Sequence, residues 1–140
     1  LGTMAVSEEI EALTAMAINP IRFLIIPRFI AMLIMLPVLT VFGHYIGNFG
    51  GWFICNTTLD MTTANYVIRA LERATFEDLY VGMLKSFVFA WLIITIACYF
   101  GITVRGGAEG VGINTTRSVV TSLIAMLVAN VVLTGIFFFA

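Results

Sequence analysis

The placement of charge constrains this chain more than any other feature. Residues 29–59, 86–104 and 118–140 contain no Asp, Glu, Lys or Arg. About 20 consecutive apolar residues carry a helix across a bilayer, so the three runs read as three transmembrane helices. Of the 140 residues, 61% are hydrophobic and 11% charged, and the mean hydropathy is +1.06. A soluble domain would be about one-quarter charged. The net charge of −1 leaves no basic footprint for nucleic acid. The predicted fold class is all-α, a polytopic membrane protein with one transmembrane domain over residues 1–140. Leu1-Gly2 follows no basic and apolar leader, so it is not a signal peptide. Without an initial Met, the chain is expected to be a piece of a longer one.

Residues 3–28 are the one wet stretch. Val6, Ile10, Leu13 and Ala17 fall at i, i+4, i+7 and i+11, one face of a helix. Glu8, Glu9 and Glu11 sit near its start, where carboxylates meet the positive end of the helix dipole. Asn19-Pro20 stops it, because the residue before a proline is pushed out of helical geometry. A short amphipathic helix over 3–19 is therefore wired into the first span, as a handle through which a soluble partner could move the membrane part.

The first span is expected over about 29–53, kinked at Pro37, which removes the hydrogen bond to the Leu33 carbonyl. Gly43-His-Tyr-Ile-Gly47 is a G-x-x-x-G that would let another helix approach closely. His44 and Asn48 share a face, either as hydrogen-bonded groups inside a bundle or as the wall of a wet substrate path. Residues 56–84 form a loop on the far side, with a short helix at 65–71. Thr75 opens the second span as a loose capping box with Asp78. That span covers about 85–103.

Arg105-Gly-Gly-Ala-Glu-Gly-Val-Gly112 has neither phosphate-loop spacing nor a preceding strand, and reads as a tight turn between spans. Asn114 or Thr115 would then cap a last span over 116–139. Asn130 is the strongly polar residue of that span and should face the bundle. Cys55 and Cys98 fit no metal spacing and read as small buried apolar residues. The carboxylates at 8, 9 and 11 lie on a solvated face, so no catalytic set forms. Arg22, Arg28, Arg105 and Arg117 on one side, against Arg69, Arg73 and Lys85 on the other, favour a cytoplasmic start.

Two blocks carry a resemblance to a known family. Gly2-Thr-Met-Ala-Val-Ser-Glu-Glu-Ile-Glu-Ala-Leu with Ile18-Asn-Pro and Pro27-Arg-Phe is the first. Arg105-Gly-Gly-Ala-Glu-Gly-Val-Gly with Thr115-Thr-Arg-Ser-Val-Val is the second. Together they resemble the carboxy-terminal half of MlaE-type permeases, the membrane subunits of ABC transporters that move phospholipids between the membranes of Gram-negative bacteria.

The resemblance covers essentially the whole chain. It implies the last three of five membrane helices, in a multi-pass subunit of the inner membrane that helps maintain outer-membrane lipid asymmetry. It implies a second copy of the chain as partner, with a cytoplasmic ABC ATPase, a STAS-domain protein and a periplasmic ring of lipid-binding MCE-domain subunits. ATP and magnesium would belong to the ATPase, so no cofactor and no metal is expected in this chain. The 3–19 helix would dock on the ATPase through Glu8, Glu9, Ile10 and Leu13. His44, Asn48 and Asn130 are the candidate contacts along the lipid path.

The sequence departs from the family pattern at several of these places. Glu9 stands where Gln is usual, Ala17 where Gly is common, Ile113 where a basic residue is frequent, and Asn130 where Asp is frequent. Two other readings fit the sequence. One is a membrane scaffold that anchors ATPase and ring while lipid passes elsewhere. The other is a proton-coupled transporter using His44, which lacks the acidic partners such a relay needs.

Overall fold

The computed structural model describes residues 1–139. Its elements are helical: α1 (Gly2–Val6), α2 (Glu9–Ala15), a π-helical turn (Ile21–Ile25), α3 (Ile26–Thr58), α4 (Thr63–Arg73), α5 (Phe76–Ile102) and α6 (Gly107–Phe139). Three stretches, Ile21–Thr58, Phe76–Ile102 and Gly107–Phe139, are long and apolar enough to cross a membrane. They run up, down and up. Helix α5 takes the middle place, packed on α3 and on α6, while α3 and α6 scarcely touch.

The middle place follows from side-chain size. Along α5, Gly82, Ser86 and Ala90 recur every fourth residue and so share one face. Ala90 is fully buried, Ser86 and Cys98 nearly so. Pro37 is the buried residue of α3 and Ser122 that of α6. Association in lipid rests on close packing rather than on expulsion of water, and small residues let backbones approach. The Ser86 hydroxyl donates to the Met83 carbonyl at 2.7 Å, so its burial leaves no polar atom unpaired. The outer faces are the reverse. Phe42, Ile46, Leu127 and Val131 are exposed, an apolar surface too large for water and suited to lipid or to further membrane helices.

Several expectations need correction. The G-x-x-x-G at Gly43 and Gly47 is not where helices of this chain meet: a Cβ at either glycine, or at Gly50, would touch nothing within 4 Å among the described residues. The close approach uses the small residues of α5. The first span is not confined to 29–53, because the π turn and α3 form one rod from Ile21 to Thr58. Pro27 is the second residue of α3, directly after the π turn. The helix continues through Pro37.

The last helix begins at Gly107, ahead of the expected 116. Asn114 and Thr115 are therefore inside a helix, and the Thr115 hydroxyl donates back to the Val111 carbonyl at 2.7 Å. Only Gly106 (φ 93°) and Gly107 (φ 69°) take the left-handed turn. Gly110 is needed for a different reason: a Cβ there would collide with the Arg105 carbonyl. Thr75 does precede α5, but it bonds the Asp78 and Leu79 N–H groups through its backbone carbonyl and not through its hydroxyl.

Candidate functional site

The amphipathic segment is two helices, not one. Glu8 separates α1 from α2 in the left-handed region (φ 59°). The single stripe Val6–Ile10–Leu13–Ala17 is therefore broken, and Ala17 lies beyond α2 with φ 58°. The bend has a physical cause. The Ser7 hydroxyl donates to the Thr3 carbonyl at 2.9 Å and the Ser7 N–H bonds the same carbonyl, which closes α1. Serine competes with the helix ladder in this way. At the other end, the Asn19 side chain accepts the Ile21 N–H at 3.0 Å and starts the π turn.

The bend folds the segment against the inner ends of the spans. Leu1 rests on Gly101, and Gly2 on Val104 and Val111, so α1 bridges the end of α5 and the start of α6. The Arg28 guanidinium reaches the Met4 sulfur at 3.7 Å, tying α1 to α3 as well. Ile10 sits in a small apolar recess with Leu24, Ile25 and Ile102. Beside it, a cleft of about 520 Å³ is lined by Val6, Glu8, Glu11, Ile102, Arg105 and Gly106. Thus the sequence-separated wet stretch and the glycine-rich turn form one surface. It places carboxylates 8 and 11 across a cleft from Arg105. Glu8, Glu9 and Glu11 are exposed, Ile10 and Leu13 half-buried. The candidate docking residues divide accordingly: the glutamates face outward, while Ile10 faces this chain's own spans.

The other end carries the polar membrane residues. His44 and Asn48 are exposed on α3. The Asn48 amide donates to the His44 carbonyl at 2.9 Å, and the His44 ring lies against Gly82 of α5. The Asn48 carbonyl accepts the Tyr66 hydroxyl at 2.9 Å, and the Trp52 indole N–H reaches the Thr63 hydroxyl at 3.3 Å. These two bonds fold α4 back onto the end of α3. Asn130 belongs to a separate set: its side-chain oxygen and the Thr134 hydroxyl accept from the Lys85 ammonium at 3.4 and 2.8 Å. The three candidate path residues are therefore split between two clusters.

Lys85 and Tyr66 were not among the candidates. By position alone Lys85 reads as a loop charge, because it ends a charged stretch. The spacing of Asn130 and Thr134, one turn apart in a run (123–139) with no other polar side chain, is the signal that could have found it.

Almost the whole chain matches known proteins. The profile of the family described as Permease MlaE matches residues 1–136. The chain belongs to the MlaE permease family. It is 37% identical over 138 residues to a probable ABC transporter permease protein of Rickettsia conorii, covering 99% of this chain and 53% of that one. A probable ABC transporter permease protein of Synechocystis is 36% identical over 138 residues, 99% of this chain and 52% of the relative. The chloroplast protein TRIGALACTOSYLDIACYLGLYCEROL 1 of Arabidopsis thaliana is 37% identical over 139 residues, 99% of this chain and 39% of its own length. The chain spans about half the length of the bacterial relatives it matches.

Proposed function

We propose that this MlaE-family chain is the coupling half of an ABC transporter permease that moves phospholipid, driven by ATP hydrolysis in a partner subunit. The observation that carries the reading is the seating of α1 and α2. A short acidic segment rests on α5 and α6 through Leu1 and Gly2, and on α3 through Arg28. A partner that grips it thereby gains a hold on all three spans. Exposed Glu8, Glu9 and Glu11 are the partner-facing side, and Ile10 is the spans-facing side. The left-handed joint at Glu8 and the Asn19-Pro20 break set the angle at which a push on α2 reaches α3.

A lipid cargo is supported by the family and by the galactolipid in the name of the Arabidopsis relative. The assembly fits a pair of such permeases between two cytoplasmic ATPases, with a STAS-domain protein and a periplasmic MCE-domain ring, in a Gram-negative inner membrane. ATP and magnesium would be held by the ATPase. In that setting the transport would maintain outer-membrane lipid asymmetry.

The test is a purified complex of the full-length permease with its ATPase, carrying E8K and L13A singly. Both should weaken ATPase retention and slow movement of a fluorescent phospholipid. The wild-type interaction should also loosen as ionic strength rises, since exposed charges are screened beyond about 10 Å at 0.1 M salt. Unchanged assembly and lipid movement in both variants would sink the reading.

A further inference from the structure

The level of α4 relative to the spans is fixed from both of its ends. Arg28 is the last charge before the run 29–59. The roughly 20 residues from Arg28 to Asn48 rise about 30 Å, the thickness of the hydrocarbon core. At that height the Asn48 carbonyl accepts the Tyr66 hydroxyl at 2.9 Å, and the Trp52 indole N–H reaches the Thr63 hydroxyl at 3.3 Å. These bonds hold the first half of α4 beside residues 48–52 of α3.

The other end is fixed through α5. The His44 ring lies against Gly82, so these two residues share a level. Helices α3 and α5 run in opposite directions, and Phe76 lies as far before Gly82 as Gly50 lies after His44. Helix α5 therefore starts at the level of Gly50, and Ala74-Thr75 join α4 to it. Both ends of α4 stand at one height, so the helix crosses the spans rather than extending them. Trp52 and Tyr66 at the joint are residue types that collect at membrane–water interfaces.

The side chains of α4 divide to match. Ala64, Val67, Ile68 and Leu71 fall on one side, and Asn65, Arg69, Glu72 and Arg73 on the opposite side. Tyr66 and Ala70 lie between the two and are the half-buried residues of the helix, so contact with α3 uses neither side. Val67, Ile68 and Leu71 are exposed. Phe49 and Phe53 of α3 and Phe76 of α5 are exposed at about the same level, which makes the apolar side continuous with the outer face of the spans. On the polar side, Arg69 and Arg73 outnumber Glu72 and complement lipid phosphates.

A helix with one apolar and one charged side at the hydrocarbon boundary satisfies both by lying in the interface. We propose that α4 is an interfacial anchor: Val67, Ile68 and Leu71 sit among the upper acyl chains of the leaflet, with Arg69 and Arg73 at the phosphates. The occupant of this face is the bilayer itself. The seat rests on the membrane-spanning reading of α3, α5 and α6 alone. In the permease reading above, it gives the outer ends of α3 and α5 a fixed height while a partner moves their inner ends.

The experiment uses the full-length permease in phosphatidylcholine nanodiscs, with native cysteines replaced and L71C or N65C carrying the fluorophore NBD. Both positions are exposed, so neither cysteine disturbs packing. Quenching is read with phospholipid brominated on its acyl chains and, separately, with aqueous iodide. L71C should be quenched by the brominated lipid and protected from iodide, and N65C should show the reverse. Iodide quenching of L71C would overturn the seat, because that side would face water. Protection of L71C from both quenchers would overturn it too: protein would then cover the face, whether a further segment of the full-length chain, a second copy or another subunit. Equal quenching of both sites by the brominated lipid would refute the in-plane orientation. If the wild-type complex moves no phospholipid, the permease reading fails and the seat stands. If it moves phospholipid while L71C is open to iodide, only the seat fails.

Discussion

Gly110 and Gly112 form a matched pair on which opposite outcomes can be worked from the structure. Both lie in the first turns of α6, two residues apart. In a helix interior, alanine is better than glycine by about 1 kcal/mol, because glycine loses more backbone freedom on folding. At Gly112 an added Cβ touches nothing within 4 Å, so Gly112→Ala should gain up to about 1 kcal/mol. At Gly110 the added Cβ lands on the Arg105 carbonyl. That oxygen belongs to the backbone and cannot rotate aside. The Gly106–Gly107 turn must therefore reopen, and the Gly110 N–H bond to the Gly106 carbonyl, at 3.4 Å, is strained with it. Overpacking of this kind costs about 1–3 kcal/mol, which outweighs the propensity gain. The propensity gain is common to both variants and cancels, so the two should differ by the overpacking cost alone, about 1–3 kcal/mol. Unfolding of the full-length protein in mixed micelles by added SDS, followed by tryptophan fluorescence, measures the difference. If Gly110→Ala is as stable as Gly112→Ala, the close approach of the Arg105 carbonyl is refuted.

Three further outcomes follow from single positions. Ala17 sits at φ 58°, where a Cβ costs about 1–2 kcal/mol, so Ala17→Gly should raise the unfolding free energy read from the same SDS titration by about 1 kcal/mol and leave the joint between α2 and the π turn intact. Ala90 is fully buried on α5, and Ala90→Leu should destabilise by about 1–3 kcal/mol; a neutral result would mean the small-residue face is not the packing seam. Tyr66→Phe removes the hydroxyl that bonds the Asn48 carbonyl. It should cost about 1 kcal/mol and speed amide exchange in α4 while α5 stays protected, which hydrogen-exchange mass spectrometry resolves by segment.

Parts of the fold were legible because they rest on local physics. The absence of charge over 29–59, 86–104 and 118–140 gives long apolar helices whatever their neighbours do. The acidic start at Glu8–Glu11 and the stop at Asn19-Pro20 are likewise local. The continuity of the amphipathic segment was misread because periodicity carries no information about φ: Val6, Ile10, Leu13 and Ala17 keep helical spacing on paper while Glu8 and Ala17 turn left-handed. The glycine run was misplaced for a related reason. Of its glycines only 106 and 107 turn the chain, while 110 makes room for a carbonyl five residues back, a need that appears only when the backbone is built.

The sequence by itself determined the class of molecule: three apolar helices, a wet acidic lead-in, and two motif blocks specific enough to mark the family. Only the tertiary structure decided which faces meet. Hydropathy cannot rank small-residue stripes, since Gly43-x-x-x-Gly47 and Gly82-x-x-x-Ser86 look alike in one dimension. The second is the packing seam because α5 runs between two neighbours. Three dimensions also joined residues 2–11 to Val104 and Arg105, and Lys85 to Asn130 and Thr134. The chain must double back for these groups to meet, and a partner 45 or more residues away leaves no periodic trace in the sequence.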